Sequence, residues 1–418
     1  MKQRAQMKNE ERWSRRKFVS LLAAGPVAWS AAWPEANAGG SATFPAKGDF
    51  EIEGTYINAA YTHPMSKGSF REVTHFLNER KLNRRTPAGF DGFDRKQAMT
   101  AFANLIHASP DEIAWVPSTM VGENLIVSGL SIPGSKASVV TDAFHFEGSL
   151  HMYTQLAKQG VSITVVPPRN NRIDLNDLDA AIKPGTKLVA LSLVSATTGF
   201  RHDLKQVCAL AHARGALVYA DIIQAAGAVP FDVRDSDVDF CACATYKWLM
   251  GDFGIGFLYV RQDRLPELKR TMFGYRQIRE AAYHVLPFDL PGAAPFESTS
   301  RNDMSGHFEV GTFANEGIVA LNYSLNYLNA VGVESIARYR QPMIRRLQEK
   351  LPEHGFLPLT PIDADTPLVC FAYRDAQKLK PRLDAADINI QLYENRIRIS
   401  PSFYNDMSEI DRLIAVLS

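Results

Sequence analysis

The 418-residue chain is 46% apolar and 22% charged, an ordinary globular composition that excludes collagen, a coiled coil and wholesale disorder. Its 46 Lys and Arg balance 45 Asp and Glu to a formal charge of +1, so no strong field favours nucleic acid or an anionic membrane. Four cysteines are too few for a disulfide scaffold, and Cys241 and Cys243 lack a second Cys/His pair at zinc spacing, so no metal site is expected.

Residues 1–38 read as an export signal. Ser14-Arg15-Arg16-Lys17-Phe18 precede a short apolar stretch broken by Gly25 and Pro26, and Ala36-Asn37-Ala38 supplies a small-x-small cleavage site. The stretch falls short of the roughly 20 apolar residues a stable membrane anchor needs. The paired arginines resemble a twin-arginine signal, which implies export of an already folded chain by the twin-arginine machinery and a periplasmic location.

Residues 39–65 are expected to form an amino-terminal arm, 66–330 a large domain and 331–418 a small α+β domain. Between about 100 and 260, short apolar runs at 188–194, 216–220, 240–244 and 255–260 alternate with helical patterns, which predicts a mostly parallel sheet covered on both faces. Asp203 is placed to cap a helix that carries Leu204, Val207, Leu210 and Ala211 on one side and ends at Gly215. The Pro- and Gly-bearing stretch 286–305 reads as a loop over a site or at a subunit contact. Helical periodicity covers 315–330 and 333–351, where Pro342 is expected to kink or break the second helix. A last helix is expected to enter at Ser408 with Asp411 in capping-box position.

The densest chemical signal is Val218-Tyr219-Ala220-Asp221, followed 26 residues later by Lys247 in Ala244-Thr245-Tyr246-Lys247-Trp248-Leu249. Each half ends a predicted strand. Ligands of open α/β sheets collect at the carboxyl ends of strands, so Asp221 and Lys247 should face one crevice. Taken singly, either residue reads equally as half of a salt bridge. Ser118 and Thr119 open an apolar helical run, where their hydroxyls suit either an anion or simple amino-terminal capping.

The segment 191–261 resembles the core of class V aminotransferases, the pyridoxal-phosphate (PLP) branch that also holds cysteine desulfurases, kynureninases and isopenicillin-N-epimerase-like proteins. The likeness extends to Thr55-Tyr56-Ile57-Asn58-Ala59-Ala60, to Phe308-Glu309-Val310-Gly311-Thr312, and to Arg396-Ile397-Arg398-Ile399-Ser400 with Pro401-Ser402-Phe403-Tyr404-Asn405. It implies an α/β, fold-type-I PLP-dependent transferase with a large, mostly parallel domain and a small α+β domain. It also implies a homodimer with the site at the subunit boundary and PLP as cofactor. Under this resemblance Lys247 bonds the PLP aldehyde and later shuttles a proton, Asp221 pairs with the ring nitrogen, and Gln224 hydrogen-bonds the phenolic oxygen. Ser118, Thr119 and Tyr246 would hold the phosphate, with Thr312 reaching the partner subunit's phosphate. Register favours Phe146 as the residue stacked on the ring, with His145 as its one-residue competitor. Arg398 would grip the substrate α-carboxylate, and Asn58 belongs to the substrate-binding entry motif. Arg396, on the same strand face, reads as a solvated or interfacial charge.

Two positions depart from the desulfurase pattern. Ala196 stands where an asparagine is common, and residues 387–396 contain no cysteine where group II desulfurases carry the sulfur-accepting thiol. All four cysteines read as core thiols. The resemblance therefore implies an enzyme acting at the Cα of an amino acid or an amino-acid moiety of an exported metabolite. Transamination or a related modification is expected, as in periplasmic siderophore-modifying relatives. Epimerisation and C–S lysis are the alternatives within the family, and a noncatalytic ligand-binding protein is the alternative outside it.

Overall fold

The computed structural model describes residues 43–82 and 95–418. The expected export signal lies outside the described residues. A short strand β1 (Thr55–Tyr56) precedes the seven strands of the main sheet: β2 (Ile113–Val116), β3 (Ser138–Asp142), β4 (Ser162–Val166), β5 (Thr186–Ser192), β6 (Leu217–Asp221), β7 (Phe240–Ala244) and β8 (Gly256–Val260). Their spatial order is β2-β8-β7-β6-β5-β3-β4, with β8 antiparallel to both neighbours and the other pairs parallel. Alternate residues bury on opposite faces: Val189, Leu191, Val218 and Ala220 join one apolar cluster, and Leu188, Ala190, Leu217 and Tyr219 another. This two-sided burial is why these strands read as continuous apolar runs.

The direction of strand succession reverses between β3 and β5, which makes their carboxyl ends a switch point. Ser192 pairs with Asp221, and Asp221 with Ala242, so the last residues of β5 and β6 lie side by side near the end of β7. Asp203 caps the helix Leu204–Ala213 by accepting from the Gln206 N–H, and Gly215 follows with a positive φ of 74°.

Three local expectations change. The stretch expected to be a loop is one over 286–295, which exposes Leu286, Phe288 and Leu290, but it joins a hairpin, β9 (Ile278–Tyr283) paired antiparallel with β10 (Phe296–Ser300), so 296–300 is strand. Helix Val333–Lys350 runs through Pro342 unbroken. Pro342 and Arg338, whose carbonyl loses its usual partner, are both on the exposed side, where water can substitute, while Met343, Ile344 and Leu347 bury. The last helix, Met407–Leu417, starts two residues earlier than expected and is capped by Asp406 with Glu409. Reciprocal bonds between each side chain and the other's N–H, 3.1 and 2.9 Å, outcompete the Ser408 alternative.

The carboxy-terminal strands are β11 (Leu357–Pro358), β12 (Val369–Ala372), β13 (Ile388–Asn389), β14 (Gln391–Leu392) and β15 (Arg396–Ile399). Four of them form an antiparallel sheet ordered β11-β12-β15-β14, while β13 pairs in parallel with β1. The amino-terminal arm is thereby tied to the small sheet, and an Asn58–Ser400 bridge continues the contact.

Candidate active site

Lys247 lies three residues past β7 and is 9% exposed. Burial lowers its amine to about 8, the nearby Arg398 charge pushes the same way, and Asp221 opposes them in part. Asp221, the last residue of β6, is also buried, and burial raises its carboxyl to about 6. One of its oxygens accepts from the Ile223 N–H at 2.9 Å. No carboxylate lies within 4.0 Å of Lys247 Nζ among the described residues, so Asp221 acts on the amine through space, without an ion pair between them.

Beneath this crevice lies a closed polar network. His145 is fully buried, with Nδ1 2.9 Å from Ser192 Oγ and Nε2 3.0 Å from Glu123 Oε1. Tyr153 donates to Glu123 Oε1 at 2.7 Å and Ser149 donates to Oε2. Burial opposes charge on both His145 and Glu123, yet their mutual attraction outweighs it. The imidazole is raised and the carboxyl lowered from their ordinary values. His145 also acts electrostatically on Asp221. Phe146, one residue on, precedes helix Glu147–Lys158, and its half-buried ring lies over Gly148, where an added Cβ would come within 2.7 Å of it.

Ser118 caps helix Thr119–Gly129 by accepting from the Val121 N–H at 3.2 Å, and Thr119 Oγ1 accepts from the Ala244 N–H at 2.9 Å. Each hydroxyl keeps its own proton for a further acceptor, at a helix end whose first N–H groups lack partners within the helix. Gln224 donates to the Ala60 carbonyl at 3.0 Å and accepts from Trp248 Nε1 at 2.8 Å, which leaves one amide N–H uncommitted. Tyr246 stacks on Phe253 with 4.6 Å between ring centroids, and Lys247 Nζ lies 5.7 Å from the Tyr246 ring. Thr312 stands apart from this group on an exposed loop before helix Asn315–Val331.

The small sheet closes the crevice from the other side. Arg398 is buried, donates to the Ala196 carbonyl at 3.2 Å, and leaves its buried Nε without an acceptor. The position of the missing asparagine thus anchors the arginine through its backbone. Asn58 donates to Asn389 Oδ1 at 3.1 Å while its own buried Oδ1 is unpartnered. Gly199, in the turn after Ala196, has a φ of +75° and approaches the Leu368 carbonyl so closely that a Cβ would lie 2.7 Å from it. That contact seats the turn against the small sheet.

One chain therefore brings together Lys247, Asp221, Gln224, Ser118, Thr119, Tyr246, Arg398 and Asn58, and leaves Thr312 at the surface. Sequence reasoning missed Glu123, Ser149, Tyr153 and Ser192. The available signal was Glu123 itself, a carboxylate inside an apolar helix that must find donors once buried.

Residues 94–413 match the family model described as Aminotransferase class-V. An uncharacterized aminotransferase of Bacillus subtilis, YcbU, is 28% identical over 322 residues, covering 76% of this chain and 81% of that protein. A probable cysteine desulfurase of Methanothermobacter thermautotrophicus is 28% identical over 299 residues, covering 70% and 71%. Among solved structures, an apo cysteine desulfurase from Thermococcus onnurineus superposes with a TM-score of 0.76 at 21% identity, covering 90% of this chain and 98% of that one. The cystine C–S lyase C-DES in complex with cysteine persulfide gives 0.78 at 22% identity, with coverages of 88% and 97%. With three quarters of its length inside the family model, the chain belongs to the class V aminotransferase family and is a pyridoxal-phosphate-dependent enzyme of that family.

Proposed function

We propose that the protein catalyses transamination, or a closely related modification, at the Cα of an amino acid or amino-acid moiety. The observation that carries the reading is a buried arginine, Arg398, with no carboxylate partner among the described residues, beside a desolvated lysine amine. The donor set fits PLP: Lys247 supplies an amine that sheds its proton near pH 8, and Asp221 a buried acid with one oxygen uncommitted. Ser118 and Thr119 supply hydroxyl protons at a helix amino terminus.

Bound PLP would supply an electron sink that acidifies the Cα–H of an amino-acid substrate. Lys247 Nζ would hold the cofactor and then take and return the Cα proton, a task suited to an amine titrating close to neutrality. Asp221 would keep the ring nitrogen protonated, and His145 beneath it favours the anionic carboxylate. Arg398 would receive the α-carboxylate with its guanidinium fork. Phe146 would lie against the ring, as register favours, with His145, which acts electrostatically on Asp221, as its one-residue competitor. Gln224, Tyr246 and Asn58 keep the roles their positions suggest, at the phenolic oxygen, the phosphate and the substrate. Thr312, exposed on its loop, would serve a second subunit of a homodimer.

Sulfur transfer through a protein thiol is the less favoured chemistry. All four cysteines are buried, and burial raises every one of their thiols, Cys370 to about 12. Incubation with candidate amino donors distinguishes the outcomes. Keto-acid release without ammonia supports transamination, ammonia with pyruvate indicates elimination, and inverted chirality with an unchanged formula indicates epimerisation. Mass spectrometry of borohydride-reduced protein should find the cofactor adduct on Lys247, and Lys247→Ala should abolish it. An adduct elsewhere would refute the anchor. Residues 1–38 we take to direct twin-arginine export to the periplasm; a reporter fused to them should remain cytoplasmic when Arg15 and Arg16 are both replaced by lysine.

A further inference from the structure

We propose that Arg396 and Tyr393 form a second anion subsite beyond Arg398, so that the substrate is an α-amino acid, free or within a larger compound, whose side chain ends in a carboxylate. This deepens the reading of the crevice as an amino-acid site and rests on it.

The strand alternation sets the geometry. Ile397 and Ile399 of β15 join an apolar cluster with Val369, Phe371 and Leu413, so Arg396 and Arg398 share the opposite face. On that face Cys370, cross-strand from Arg398, packs in one cluster with Trp248, the residue after Lys247. The face that carries both arginines therefore looks into the crevice. Arg398 is buried and Arg396 half-buried, which places Arg396 outward along the strand, where the far end of a bound side chain would emerge.

Both guanidinium groups approach one ring. The Cζ atoms of Arg396 and Arg398 lie 4.0 and 6.0 Å from the Tyr393 ring centroid, so they are at most 10 Å apart. An α-carboxylate and a side-chain carboxylate can bridge such a span with one fork each. Neither arginine has a carboxylate within 4.0 Å among the described residues, and each keeps a buried Nε–H without an acceptor. Arg201, Arg214 and Arg261, by contrast, all hold carboxylates of their own chain. A guanidinium N–H withdrawn from water with no acceptor is unfavourable, and stacking on Tyr393 offsets this only in part. A second carboxylate on the ligand would satisfy it.

The test compares L-glutamate with L-glutamine, which has nearly the same shape without the charge. Each is titrated into PLP-loaded protein, with Kd read from the change in cofactor absorbance and checked by calorimetry. L-Glutamate should bind about 10-fold more tightly. Arg396→Ala should erase that preference by weakening L-glutamate alone, and Arg396→Lys should keep part of it; retained cofactor absorbance verifies that each variant is folded. Equal Kd values in the native chain, or an equal loss for both ligands in Arg396→Ala, would overturn the subsite. If L-alanine binds through Arg398 but L-glutamate gains nothing over L-glutamine, only the subsite fails. If none of the three binds, the amino-acid reading fails and takes the subsite with it.

Discussion

On the large-sheet side of the crevice, Glu123 accepts from Tyr153 and Ser149 and lies against His145, which also reaches Ser192. On the small-sheet side, Arg396, Arg398 and Asn58 all keep buried polar atoms without partners. The first arrangement is complete in the chain alone and holds its charges in place before anything binds. The second is incomplete and is satisfied only by what enters. One wall preorganised by its own chain facing a wall with uncommitted donors is the arrangement the proposed function calls for, in a site that keeps one ligand and exchanges another.

That contrast can be broken by substitution on either wall. Glu123→Gln removes the charge that sustains His145 and should destabilise the protein by about 3 kcal/mol, read from urea melts, because a buried ion pair then loses one member. The His145 imidazole should titrate lower in the same variant, as NMR would show. A loss below about 1 kcal/mol would mean that the lower wall is not preorganised by this pair. Arg398→Ala should behave in the opposite way. It should weaken L-alanine binding about 30-fold while cofactor retention holds and the urea midpoint moves little, since no carboxylate loses its partner.

A smaller effect sharpens the comparison at Asp221. Its carboxyl titrates at about 6 in the folded chain, above the roughly 3.9 of an unfolded aspartate. The folded state therefore binds the proton more strongly, and stability falls as pH rises between these values. Asp221→Asn should stabilise cofactor-free protein by about 1–2 kcal/mol at pH 8, with the gain shrinking as pH falls from 6 towards 4. Lys247 acts with the other sign, since its lowered value makes folding more favourable as pH rises from about 8 through its unfolded range. Pairing the two measurements separates the acid from the amine. Failure of the asparagine variant to stabilise the cofactor-free protein would show that the carboxylate is better solvated than its burial implies.

The reading of particular residues shows where local information ends. Asp221 and Lys247 were legible because each follows an apolar run that can only be an interior strand, and strand ends are where open sheets place their ligands. Asp203 was legible as a cap because capping needs only the next three residues. Asp406 was missed in favour of Ser408, since both have a plausible acceptor side chain and only the observed pairing with Glu409 separates them. Of the kink or break expected at Pro342, the break does not occur, because apolar packing on one side of the helix and water on the other outweigh one missing hydrogen bond. Glu123 and His145 were not paired because 22 residues separate them and no periodicity links a helix to the loop after a neighbouring strand.

From its sequence alone, this protein's sheet and its amine and acid at neighbouring strand ends were already determined, because apolar periodicity and side-chain chemistry are local properties. Tertiary structure alone decided which buried charges are satisfied and which wait. A network such as Glu123 with His145, or a bare pair such as Arg396 with Arg398, exists only once distant segments exclude water from the same space.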